Sequence, residues 1–211
     1  TNEEPKKKDE GEGGEKKGSD KPPTKPAMKA GLNRFTWSMR YPGFTAFEKM
    51  ILWTSRNRGV AAPPGRYTAR LTVDSKTQAQ PFEVQLDPRL TGVSPDAIRQ
   101  RFELAQAASA KVSQANEGVL LIRGIRQQVD ALRPQATAQA AALDALMTRL
   151  GAIEGELYQV RNSSRQDPLN YPIKLNDKMA GLIGIVDSAE AAPTDQSRAV
   201  FADLSGKIDA Q

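Results

Sequence analysis

The chain has 211 residues, a formal charge of +5, and neither cysteine nor histidine. Those absences exclude disulfides, thiolate nucleophiles, imidazole bases and nearly every zinc, haem or iron–sulfur site. The positive charge reads as thinly spread, with acids beside each basic stretch, whereas a nucleic-acid surface needs a one-sided basic patch. No apolar run approaches the ~20 residues of a membrane span; the longest are VLLI at 119–122 and GLIGIV at 181–186. A first residue of Thr1 rather than Met is what a processed product or a fragment would show.

Residues 1–30 lack aromatic and β-branched apolar side chains and hold eight Lys against seven acids. Such a segment cannot bury enough apolar area to offset the entropy of ordering, so it reads as an extended, low-complexity charged tail. It is expected to become ordered along a partner. The residues expected to make that contact are Lys6, Lys7, Lys8, Lys16, Lys17, Pro22 and Pro23, joined by Arg34, Arg40 and Tyr41 just beyond the tail.

Residues 31–90 read as a β region. In GRYTARLTV, Tyr67, Ala69, Leu71 and Val73 alternate with Thr68, Arg70 and Thr72, the period of a half-buried strand. APPG before it makes a turn, DSKT after it makes a second, and QAQPFEVQLD repeats the alternation through Phe82, Val84 and Leu86. NRFTW and MILW read as two earlier strands. Together they predict a small antiparallel immunoglobulin-like sandwich, lean enough to borrow cover from a neighbour.

Residues 91–211 read as a helical bundle. Ser94, Pro95 and Asp96 supply an N-cap, a proline at the first position and an acid at the positive end of the dipole. Apolar positions then recur from Ile98 through Phe102, Ala105, Val112, Val119, Ile122, Ile125 and Val129 to Leu132, with Gly118 and Gly124 as places to bend. After Pro134, Leu143, Leu146, Leu150, Ile153, Leu157 and Val160 step by alternating threes and fours, the seam of an antiparallel helical hairpin. NSSRQDPLNYP breaks the pattern as a polar loop. A third helix carries Leu175, Met179, Leu182 and Val186, and a fourth starts at Thr194 with Val200, Leu204 and Ile208 on one face. The fold class is therefore α+β: a small sandwich followed by an antiparallel bundle of three to four helices.

Three stretches, AGLNRFTWSMRYPG, APPGRYTARLTVDSKTQAQPFEV and GELYQVRNSSRQDPLNYPIKLNDKMAGL, resemble the C-terminal region of bacterial BNR-repeat, sortilin-like β-propeller proteins. These include glycosyl-hydrolase-like proteins and relatives of photosystem stability factors. The resemblance spans residues 31–211. It implies an exported, extracytoplasmic protein whose immunoglobulin-like and helical modules follow one or more propellers. No propeller repeat stands in the chain, so no propeller activity carries over. Ser38 stands where the family pattern implies an acid after the tryptophan, which leaves that position without its polar role.

Eight of the twelve aromatic residues fall in 31–90: Phe35, Trp37, Tyr41, Phe44, Phe47, Trp53, Tyr67 and Phe82. They read as packing for a thin sandwich, with Phe35 and Trp37 pointing inward, rather than as a sugar platform, which would need Trp37 or Trp53 exposed. The loop holding Arg161, Asn162, Arg165, Gln166, Asp167, Asn170 and Tyr171 has a single carboxylate, poor ligation for a hard cation, and reads as structural. Glu154 and Glu156 point apart on a helix, while Glu103, Glu117 and Asp130 lie off the apolar seam, so no carboxylate pair emerges for glycoside hydrolysis. These readings imply no catalytic residue, metal or cofactor. They describe a non-enzymatic structural or interaction subunit with other protein subunits as partners, and with neither nucleic acid nor a small-molecule substrate. Its expected host is a larger, membrane-associated assembly with an extracytoplasmic face, such as a bacterial photosynthetic or respiratory complex. The alternative is the C-terminal accessory module of a secreted propeller hydrolase acting on glycans or peptides.

Overall fold

Where a cap, a first-position proline and a long apolar period agree, the chain forms its longest element. In the computed structural model, which describes residues 30–211, α1 spans Pro95–Leu132 unbroken. The Ser94 side chain accepts from the Ala97 amide at 3.1 Å, as its N-cap position demands. At 1.5 Å per residue α1 is about 57 Å long. Its buried stripe runs Ala105, Ala108, Val112, Ala115, Val119 and Ile122, again in threes and fours. Three of those six are alanine, which lets neighbouring backbones approach closely.

Two shorter helices cover α1 in tandem, both antiparallel to it. α2, Ala140–Leu157, lies along the C-terminal half: Asp144 pairs with Arg133, and Glu154 with Arg123 and Arg126. A Cβ on Gly118 would sit 3.4 Å from Leu157 Cδ1, marking where α2 ends against α1. α3, Leu175–Val186, takes over from there: Asn176 donates to Asn116 at 2.9 Å, and past the end of α3 Glu190 pairs with Arg101 at 2.9 Å. α4, Asp195–Asp209, is capped by Thr194 and runs parallel to α1, with Arg198 on Gln100 and Asp209 on Lys111. Leu204 and Ile208 are buried as the spacing predicts, whereas Val200 is half exposed and Phe201 packs in its place.

The β content is one hairpin: β1, Gly65–Val73, pairs antiparallel with β2, Lys76–Val84. Asp74 and Ser75, both at positive φ (47° and 66°), make the two-residue turn, whose twist suits a right-twisted ribbon. These are the only strands among the described residues, so the architecture is α+β with a two-stranded sheet.

NRFTW and MILW are not strands, which corrects the expectation for both. Residues 40–62 instead run as an irregular strap over the helices. Its single β-like pairing is internal, between Arg40 and Ala61. Phe44, Leu52 and Val60 enter one hydrophobic cluster with α1, α2, α3 and α4. The strap's backbone groups find partners on helix side chains instead of a ladder, which meets the same requirement that buried polar backbone be paired. The Thr45 amide donates to Ser113 Oγ at 3.0 Å, and its carbonyl accepts from Asn116 Nδ2 at 2.7 Å. The Ile51 amide donates to Tyr158 Oη at 3.1 Å. Buried Asp177 accepts from the Trp53 and Thr54 amides and from the Thr54 hydroxyl.

Candidate partner-binding surface

Directly opposed residues of a hairpin share a face. One face carries Tyr67, Ala69, Leu71 and Val73 with Phe82, Gln80, Gln78 and Lys76; the other carries Arg66, Thr68, Arg70 and Thr72 with Glu83, Pro81, Ala79 and Thr77. The ribbon is therefore amphipathic through β1, as that strand's alternation predicts, while β2 turns polar on the same face beyond Phe82. The cover over the apolar face stops at the base. Trp37 packs on Tyr67 and Phe82 with ring centroids 5.5 and 5.9 Å away, and its indole N–H donates to the Arg40 carbonyl at 3.0 Å. The Tyr67 hydroxyl donates to the Pro63 carbonyl at 2.7 Å. Burial, with the neighbouring Tyr41 phenol adding to it, pushes the Tyr67 hydroxyl above its ordinary value. Beyond this aromatic trio the face is open, with Leu71 60% and Val73 55% exposed.

A cleft of about 290 Å³ lies at the hairpin base between the strap and residues 84–87 of the chain. Arg101 lines it, and this buried guanidinium reaches Glu190 and the Ala189 carbonyl, while its Nε meets no acceptor among the described residues.

Of the residues expected to contact a partner, Lys6, Lys7, Lys8, Lys16, Lys17, Pro22 and Pro23 lie outside the described residues. Arg34 is exposed. Arg40 is engaged within the chain, bridging Asp187 and the Gly59 carbonyl at 2.7 Å each, and Tyr41 packs on Phe102 with centroids 5.0 Å apart. The aromatics divide. Phe44 is buried and Phe47 packs edge-on against Tyr158, but Phe35 is 58% exposed, which corrects its inward assignment; Trp37 is half buried against the hairpin and Trp53 is 52% exposed. The single exposed indole of Trp53 has its own amide fixed to Asp177.

The buried acids are held by donors. Glu154, 5% exposed, sits between Arg123 and Arg126, and Arg123 also stacks over Phe47 at 4.6 Å. The sequence marks Glu154 only as one of two acids that point apart, and Asn116, Asn176 and Asp177 are not singled out. Asn116 stands four residues after Val112 and three before Val119, and Asn176 three before Met179, a spacing that puts each on the apolar stripe and could have marked it. In the loop after α2, Asp167 accepts from the amides and hydroxyls of Ser163 and Ser164, and the two amides above all hold its carboxyl down to about 2. Arg161 lies 4.2 Å over the Tyr171 ring. Both contacts fit the structural role expected of this loop.

The positive charge is concentrated toward the N-terminal side of the described residues, which corrects the expectation that it is thinly spread. Residues 40–84, which hold the strap and hairpin, have seven Lys or Arg against Glu48, Asp74 and Glu83, so they carry most of the net +5 of the whole chain. No helix among the described residues is long and apolar enough to cross a membrane. Comparison with protein-family models, characterised proteins and solved structures finds no match to the chain.

Proposed function

We propose that the chain is a non-enzymatic structural and interaction subunit that docks on a partner protein through its β-hairpin. The observation that carries this reading is the amphipathic ribbon whose apolar face is covered only at its base. A two-stranded hairpin is marginal alone, and this one leaves both outer strand edges without a neighbouring strand among the described residues. A partner strand added to the β1 edge, with apolar side chains beside Leu71 and Val73, pairs the free backbone and flanks these side chains at once. Such an addition would extend the hairpin toward the larger, immunoglobulin-like β layer expected over residues 31–90.

The host is proposed as a larger, membrane-associated assembly with an extracytoplasmic face, of photosynthetic or respiratory type. That location rests on the sequence resemblance alone. The test is co-fractionation of the intact chain with its native assembly, against the double variant Leu71→Asp/Val73→Asp. Because neither side chain belongs to the core, the variant should keep wild-type thermal stability yet leave the assembly as a free monomer. Retention of the variant in the assembly would overturn the docking role.

A further inference from the structure

Arg56 and Arg58 flank Asn57 in a turn that the strap holds rigid. Asn57 lies at φ +48° and Gly59 at φ +75°, the left-handed region that asparagine tolerates and glycine favours. The Asn57 side chain clamps the backbone of buried Phe44 from both sides: its Oδ1 accepts from the Phe44 amide at 2.8 Å and its Nδ2 donates to the Phe44 carbonyl at 2.9 Å. The packing leaves no slack. A Cβ on Gly43 would lie 2.1 Å from Asn57 Oδ1, and one on Gly59 would lie 1.9 Å from the Tyr41 carbonyl oxygen. The two arginines are thus displayed from a backbone that needs no ordering on binding.

Both line a shallow cleft of about 300 Å³ between the turn and the C-terminal end of α3, together with Arg40, Thr54, Ser55 and Gly184. The cleft holds three guanidiniums. Asp187 is the one carboxylate in its lining, and Arg40 already neutralises it at 2.7 Å. Arg56 and Arg58 are exposed and have no acidic or hydrogen-bonding partner among the described residues. A structure that pairs Arg99, Arg123, Arg126, Arg133 and Arg198 leaves these two open.

We propose that this cleft captures an acidic segment of a protein partner, with carboxylates taken by Arg56 and Arg58. The planar guanidinium fork donates two parallel hydrogen bonds to a carboxylate, and the Arg40–Asp187 pair leaves no uncompensated acid in the cleft to repel one. A shallow, open cleft suits an extended chain passing across it better than a small molecule, which needs enclosure. The strap's excess of basic residues favours an acidic approach from the same side of the sequence. This inference goes beyond hairpin docking and stands on different residues, so either can fail without the other.

The test is fluorescence anisotropy of a fluorescein-labelled glutamate octamer titrated with the full chain at low ionic strength. Arg56→Ala/Arg58→Ala should weaken binding at least about tenfold. Arg56→Lys/Arg58→Lys should lose part of that, since charge stays and the fork goes. Arg66→Ala/Arg70→Ala, on the hairpin's polar face, should change it less than about twofold. Unchanged thermal unfolding of each variant confirms that the turn is intact. Equal binding by the alanine pair overturns the proposal, as does an equal loss in the hairpin control, which would mean diffuse charge. Tighter binding of a charge-matched thymidine oligonucleotide overturns it in favour of nucleic acid.

Discussion

Replacing Asp177 with alanine should detach the strap from the bundle. The carboxylate is buried in the first turn of α3 and accepts from the Trp53 amide at 2.8 Å, the Thr54 amide at 3.0 Å and the Thr54 hydroxyl at 2.6 Å. The hydroxyl also reaches the Asp177 carbonyl, so it keeps a partner in the variant. The two amides do not. A hydrogen bond to a charged acceptor contributes about 1.5–3 kcal/mol, and water reaches these part-buried donors to some extent, so their loss is placed near the bottom of that range. An acid in the first turn of a helix adds about 0.3–1 kcal/mol through the dipole. The sum is about 4 kcal/mol, a large share of the ~5–15 kcal/mol that stabilises a typical domain. For a chain of this size it corresponds to a Tm lower by about 8–16 °C. Urea and thermal unfolding, followed by far-UV dichroism for the helices and by Trp53 fluorescence in a Trp37→Phe background for the strap, would measure it. Asp144→Ala, which breaks only an exposed pair with Arg133, is the control and should cost under about 1 kcal/mol. A loss below about 1 kcal/mol in Asp177→Ala would refute the reasoning. So would a Trp37→Phe chain whose Trp53 signal melts well before its helices, because strap and helices share one core here.

Three further outcomes are expected. Gly59→Ala should destabilise by about 3 kcal/mol or more, since φ is +75° and the new methyl would overlap the Tyr41 carbonyl oxygen; a wild-type midpoint in urea would count against the strap geometry. Arg123→Ala/Arg126→Ala, which leaves Glu154 buried without a partner, should cost about 3–5 kcal/mol. Glu154→Gln should cost less, because both arginines are about one-third exposed and can rehydrate; the reverse order by calorimetry would contradict the account. Asp167 should titrate near 2 by carbonyl NMR. Its folded value lies below the ordinary 3.8, so its contribution to loop stability is present above about pH 4 and is lost as pH falls through 2; a midpoint near 3.8 would show that the Ser163 and Ser164 amides do not hold it.

Elements governed by near neighbours were readable directly. Ser94 caps α1, Thr194 caps α4, and the alternation of β1 and β2 placed a hairpin with the observed apolar face. These signals are local, set within a few residues by side-chain capping and by the two-residue period. The strap was not legible for the opposite reason. MILW has strand-like composition, but the partners of the strap backbone are Ser113, Asn116 and Asp177, and the Trp53–Asp177 bond spans 124 residues; NRFTW, ahead of the strap, lends Trp37 to the hairpin base instead. Nothing near Trp53 announces an acceptor that far away. Ala108 and Ala115 were hidden because alanine stands on every face of an alanine-rich helix, yet both are buried against the bundle. The basic cleft was masked by counting charge over the whole chain, where acids on the helices offset arginines that lie elsewhere.

In the reading proposed above, the outer hairpin is a docking element that a partner completes. Amide hydrogen exchange of the free chain against the chain in its native assembly tests it most directly. In the free chain, amides of residues 69–79 should exchange rapidly while Val112 and Val119 in the core of α1 stay protected. In the assembly, the hairpin amides should become protected and the α1 core should change little. Equal hairpin protection in both states would contradict the account.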